Sequence, residues 1–119
     1  MIGHIKDIEF LDFRLKSPSR TQSVVPKGSL RGDGQVSSAA GNSLRAILIS
    51  FKAEEKKTGY LFQAECRVVF ELDEAEQLTA GDVFFDENFN AACEKFYGMA
   101  NDALTALGWN EFPFDQILQ

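Results

Sequence analysis

Few side chains in this sequence have the reach for covalent or acid–base chemistry. One histidine, His4, and two cysteines, Cys66 and Cys93, occur in 119 residues. A thiol nucleophile or redox pair needs a CxxC spacing or a companion histidine, and neither is visible. Carboxylates are the other candidates. Between Arg67 and Lys95 there is no base, while Glu71, Asp73, Glu74, Glu76, Asp82, Asp86, Glu87 and Glu94 all fall there. Hard cations want clustered oxygens on a rigid loop, often with a glycine turn, and the order Asp-Glu-Ala-Glu-Gln at 73–77 lacks that spacing. General acid–base work would fall to a carboxylate pair in this run, and nothing fixes such a pair on one rigid element. The expectation is no catalysis, no metal and no cofactor. The plain reading of the acidic run is a solvated loop. The sharper one is a docking site for a basic partner, contacted through Glu71, Asp73, Glu74 and Glu76.

The whole chain bounds these readings. It is 45% hydrophobic and 25% charged with a formal charge of −6, the composition of one ordinary globular domain spanning 1–119. Net acidity argues against non-specific nucleic-acid binding. No apolar run approaches the roughly 18 residues of a membrane span, and the start, MIGHIKDIEF, lacks a signal-peptide pattern. A cytoplasmic protein is expected, with Cys66 and Cys93 as reduced, buried thiols.

Elements must position whatever binds. Residues 60–72 alternate: Tyr60, Phe62, Ala64, Cys66, Val68, Phe70 and Leu72 share one parity, Gln63, Glu65, Arg67 and Glu71 the other. A period of two is a strand with one apolar face. Residues 44–53, LRAILISFKA, form a denser run, hence a strand buried on much of both faces and a hairpin partner through "EEKKTG". In 2–15 the apolar parity flips between Phe10 and Leu11, as a β-bulge would cause. The stretch 17–43 is Ser- and Gly-rich. "GSLRGDGQ" reads there as turn or loop, with Arg31-Gly32-Asp33 as a turn, and an edge strand is expected near Gln22–Leu30 or Gln35–Ala40 unless the stretch is partly mobile. Phe89, Ala92, Cys93, Phe96, Ala100, Ala103, Leu104 and Leu107 recur at threes and fours, predicting a helix over 87–107. Asp86 or Asn88 would cap it, Gly108 would end it, and Gly98 would mark close approach of another element. The fold class is α+β: an antiparallel sheet of three or four strands, this helix on one face, and a short final helix.

The order of elements, with "IKDIEF" at 5–10, "LFQAECRVVFEL" at 61–72 and "FPFDQIL" at 112–118, resembles the SecB family of protein-export chaperones and its shorter SecB-like relatives. The resemblance covers most of the chain outside 17–43. The family's long aromatic crossover is here reduced to Gly108–Phe112. The resemblance implies an ATP-independent cytosolic chaperone that binds unfolded polypeptides in apolar grooves of a dimer or tetramer. It brings in an export motor ATPase as a further partner. The alternative is an adaptor or assembly protein of the same fold, with one dedicated partner in a phage, toxin–antitoxin or operon-specific setting.

Large aromatics dominate small interfaces, so the client surface is expected at Phe96, Trp109, Phe112 and Phe114, with Phe84 and Phe85 next. The apolar odd positions Ile47, Ile49 and Phe51 are expected to face a second subunit.

Overall fold

In the computed structural model, residues 1–16, 28–36 and 43–114 are described, apart from the side chains of residues 35, 36 and 82. Four strands form one antiparallel sheet in the order β1-β4-β3-β2. They are β1 (His4–Lys16), β2 (Gly28–Val36), β3 (Leu44–Glu55) and β4 (Tyr60–Glu71). Helices α1 (Glu74–Ala80) and α2 (Phe84–Ala106) follow, joined by a 3₁₀ turn at Gly81–Val83. The molecule is 19 Å thin in its shortest direction, which fits two layers, one sheet and one helix, about 10 Å apart. Among the described residues no helix is long and apolar enough to cross a membrane.

The alternation of 60–72 becomes β4, with every even residue from Tyr60 to Phe70 buried. The β3–β4 register pairs Ile47 with Val68, Ile49 with Cys66 and Phe51 with Ala64. Partners directly opposite share a face, so odd positions of β3 lie on the same side as even positions of β4. This corrects the expectation for Ile47, Ile49 and Phe51. They are core residues under α2, not a second apolar face awaiting a subunit.

The parity flip in β1 is a bulge. Register slips between Phe10 and Asp12, which leaves Leu11 unpaired and 43% exposed, and again between Ile5 and Asp7. Both slips let Ile5, Ile8, Phe10, Phe13 and Leu15 pack on the core side despite their mixed parity.

Further expectations change. "GSLRGDGQ" and its Arg31-Gly32-Asp33 are strand, not turn: they form β2, paired to β3 from Gly28–Ala53 to Val36–Arg45. The acidic loop after β4 is instead α1. Asp73 caps it by accepting from the Glu76 N–H (2.8 Å), while Glu76 accepts from the Asp73 N–H (3.0 Å), a reciprocal capping box. Helix α2 starts three residues early, at Phe84, and has no side-chain cap. Neither Asp86 nor Asn88 serves, because the 3₁₀ turn leads straight into the helix. Its far end is as expected: Gly108 has φ +82°, and the N–H groups of Gly108 and Trp109 donate to the carbonyls of Thr105 and Leu104. That is the Schellman arrangement, in which glycine takes the left-handed position. Leu107, expected on the buried stripe, is exposed. Gly98 is exposed with no neighbour near its missing side chain, so it marks no close approach among the described residues. The expected final helix lies almost wholly beyond residue 114, outside the described residues.

Candidate binding surface

Four of the six aromatics expected on the surface are in the core. Phe96 is fully buried, Phe112 and Phe114 are 3% exposed each, and Phe84 is buried as well. Phe51 lies at the centre of this packing, with ring centroids 5.2 Å from both Phe112 and Phe114 and 6.2 Å from Phe96. Edge-on and tilted contacts at such distances add to the energy of burial. The sheet face at Ala53 and Ala64 carries small side chains, and large rings arriving from the chain's C-terminal side pack over it. Phe84 packs edge-on against Phe70 at 5.4 Å. It also lies under the Arg45 guanidinium, 5.5 Å from the ring, whose Nη1 donates to the Gly81 carbonyl at 3.3 Å. This buried arginine ties the α1–α2 turn to the sheet.

Two asparagines of α2 hold the chain segments flanking the core. The Ile2 N–H donates to Asn88 Oδ1 (2.7 Å), and Asn88 Nδ2 donates to the Ile2 carbonyl (2.8 Å). Thirteen residues on, the Phe112 N–H donates to Asn101 Oδ1 (2.7 Å), and Asn101 Nδ2 donates to the Phe112 carbonyl (3.2 Å). Each amide satisfies one residue's donor and acceptor together, as a neighbouring strand would.

The remaining two expected residues, Phe85 and Trp109, are half-buried. Phe85 stacks on Phe89 with centroids 5.1 Å apart and planes 25° apart. Both rings lie over β2, whose core-facing positions here are Gly32 and Gly34. The Phe89 ring fills the space a β-carbon on Gly32 would need. Aromatic cover over strand glycines is a recognised device. Phe89 was read only as part of the helix stripe. The signal that could have marked it is the spacing: aromatics four apart on a helix, glycines two apart on a strand.

The acidic residues expected to dock a partner are mostly engaged within the chain. Glu71 pairs with Lys6 at 3.3 Å and lies 3.7 Å from His4 Nε2. Asp73 and Glu76 form the capping box, and Glu76 also accepts from the Gly3 N–H. Glu74, in the first turn of α1, is exposed. On the open face of the sheet, Leu44, Leu48 and Val69 are half-buried among Glu9, Glu65 and Arg67. Arg67 Nη1 reaches Glu9 at 2.7 Å. An open groove of about 520 Å³ lies on this face along Ser29, Arg31, Ser50, Lys52, Gln63 and Glu65.

The thiols face the sheet–helix interface. Burial pushes Cys66 up to about 12 and Cys93 up to about 11, so both are neutral at pH 7 and poor nucleophiles. Burial likewise pushes Tyr60 and Tyr97 up to about 12. Among the described residues no group of three or more His, Cys, Asp or Glu side chains could hold a metal ion. The arrangement offers surface and fixed backbone rather than reactive groups. Comparison with protein-family models, with curated proteins and with solved structures gives no significant match to this chain.

Proposed function

We propose that the protein is a non-catalytic, SecB-like cytoplasmic chaperone that holds unfolded polypeptides without ATP. The observation that carries this reading is the stacked Phe85–Phe89 pair on the helix side of the sheet, packed on the core yet only partly buried. Stacked rings left partly wet on a well-packed element are costly without an apolar ligand, since a fully buried Phe is worth about 1.5–3 kcal/mol. The client surface is therefore assigned to Phe85 with Phe89, and Trp109 is a secondary contact.

The burial of Phe84, Phe96, Phe112 and Phe114 favours a second reading, the adaptor with one dedicated partner, because little aromatic surface is left for varied clients. A light-scattering assay separates the two. A chaperone suppresses aggregation of several chemically unfolded proteins at near-equal molar ratio, with or without ATP. Phe85→Ser weakens that suppression about tenfold or more at unchanged circular dichroism. Failure to suppress any unfolded client overturns the chaperone reading and leaves the adaptor.

A further inference from the structure

The open face of the sheet brings three charges together around a serine. Arg31 of β2 pairs with Ser50 of β3, and Ser50 in turn pairs with Glu65 of β4. One step along the strands, Ser29 pairs with Lys52, and Lys52 with Gln63. These positions alternate with Leu30, Phe51 and Ala64, which pack on the core, so their own side chains point away from α2. They line the open groove of about 520 Å³, a volume within the range of small-molecule sites. Ser50, short and half-buried, forms its floor. The long side chains of Arg31 and Glu65 stand on either side, their backbones about 10 Å apart, two strand spacings.

The charges of this groove are poorly matched among themselves. Arg31 is exposed and forms no ion pair with another described residue. Lys52 lies 3.9 Å from Glu54, and Glu65 accepts from Ser50 Oγ at a long 3.4 Å. Asp33 and Glu54, the next outward positions on β2 and β3, stand at the rim. The chain as a whole carries −6, and a field of that sign repels anions. An anion that binds here must therefore be held by specific contacts.

We propose that this groove binds an acidic α-amino acid, charge for charge. The α-carboxylate takes Arg31, whose planar fork suits a two-oxygen group. The ammonium donates to Glu65, and the side-chain carboxylate pairs with Lys52, while Ser29 and Gln63 supply neutral donors at the sides. A simple dicarboxylate lacks the group that Glu65 needs, and a neutral amino acid leaves Lys52 unused. The groove lies on the opposite face of the sheet from the Phe85–Phe89 pair. It goes beyond the chaperone reading, and neither depends on the other.

Titration of the full chain with L-glutamate, followed by the amide chemical shifts of Arg31, Ser50 and Glu65, tests it. The expected result is saturable binding with a dissociation constant of about 1 mM or lower. Glutarate, L-glutamine and isoglutamine each lack one of the three charges, and each binds at least about tenfold more weakly. In Glu65→Gln the preference for glutamate over glutarate falls below about threefold, because a pairwise term vanishes once one partner is neutral. Lys52→Gln does the same to the preference over glutamine, and Arg31→Gln to that over isoglutamine. Arg14→Gln removes another exposed arginine, one strand beyond Gln63, and leaves the affinity for glutamate within about twofold. Circular dichroism stays unchanged throughout, since these side chains are exposed or half-buried. Should a variant lose its fold, the three analogues on the wild type still decide. No saturable shift by about 20 mM glutamate overturns the proposal. So does binding that treats glutamate, glutamine and glutarate alike, or that Arg14→Gln weakens as much as Arg31→Gln.

Discussion

Asn88 and Asn101 do the same work at opposite ends of α2, in different surroundings. Asn88 is fully buried beneath the N-terminal segment, where it brackets Ile2; Asn101 is half-buried and brackets Phe112 beside an open depression. The pattern of donors and acceptors is identical, so the difference between the two sites isolates solvent. Where water can replace a lost partner, a hydrogen bond is worth roughly 1 kcal/mol; where it cannot, the orphaned group adds its own desolvation cost.

Several variants sharpen or break that comparison. Asn88→Asp is the most disruptive, at about 3–5 kcal/mol near pH 7, because it buries a charge against the Ile2 carbonyl with no donor to offer. Asn88→Ala follows at about 2–4 kcal/mol, and Asn101→Ala costs about 1–2 kcal/mol. Urea denaturation of the three measures this order, and equal losses at 88 and 101 would break the solvent argument. Gly32→Ala falls between the two asparagine truncations, at about 1–3 kcal/mol, since its β-carbon needs space held by the Phe89 ring. Gly98→Ala, between the two clamps and in open space, stabilises α2 by about 1 kcal/mol, visible as a raised urea midpoint.

The smallest effect near neutrality is that of pH. Cys66, Cys93, Tyr60 and Tyr97 all have folded values raised above their ordinary ones. The unfolded chain therefore releases protons first, and the contribution of these groups is full below about pH 9 and lost as pH rises toward 11–12. Urea midpoints flat from pH 6 to 8 and falling above 9 are expected. A rise in stability above 9 would contradict the burial of these four groups.

What could be read in advance depended on how local its cause was. The bulge at Leu11, the β3–β4 hairpin and the Gly108 stop each write their signal within a few neighbouring residues. The facing of Ile47, Ile49 and Phe51 does not, because parity says which residues share a side of one strand and register decides which side. The sequence predicts an edge strand within 17–43, yet the centre of β2 reads as a turn, for a different reason. Glycine ordinarily marks a turn, and only the rings of Phe85 and Phe89, more than fifty residues away, make Gly32 and Gly34 strand positions. The Asp73–Glu76 capping box was local but overlooked, since eight acids without a base read first as charge. The core positions of Phe112 and Phe114 and the grip of Asn88 on Ile2, 86 residues apart, depend on tertiary contacts that no short window contains.

The glycines of β2 carry a dynamic consequence. A strand with Gly28, Gly32 and Gly34 on its inner side buries little of its own besides Leu30, so beyond its ladder to β3 its hold on the sheet comes from side chains of β3 and α2. Its opening free energy therefore follows the docking of α2 rather than its own sequence. Amide hydrogens of β2 will exchange together with those in the first turns of α2, faster than those of β4, which is paired on both sides. An exchange experiment would thus find two segments half the chain apart behaving as one cooperative unit.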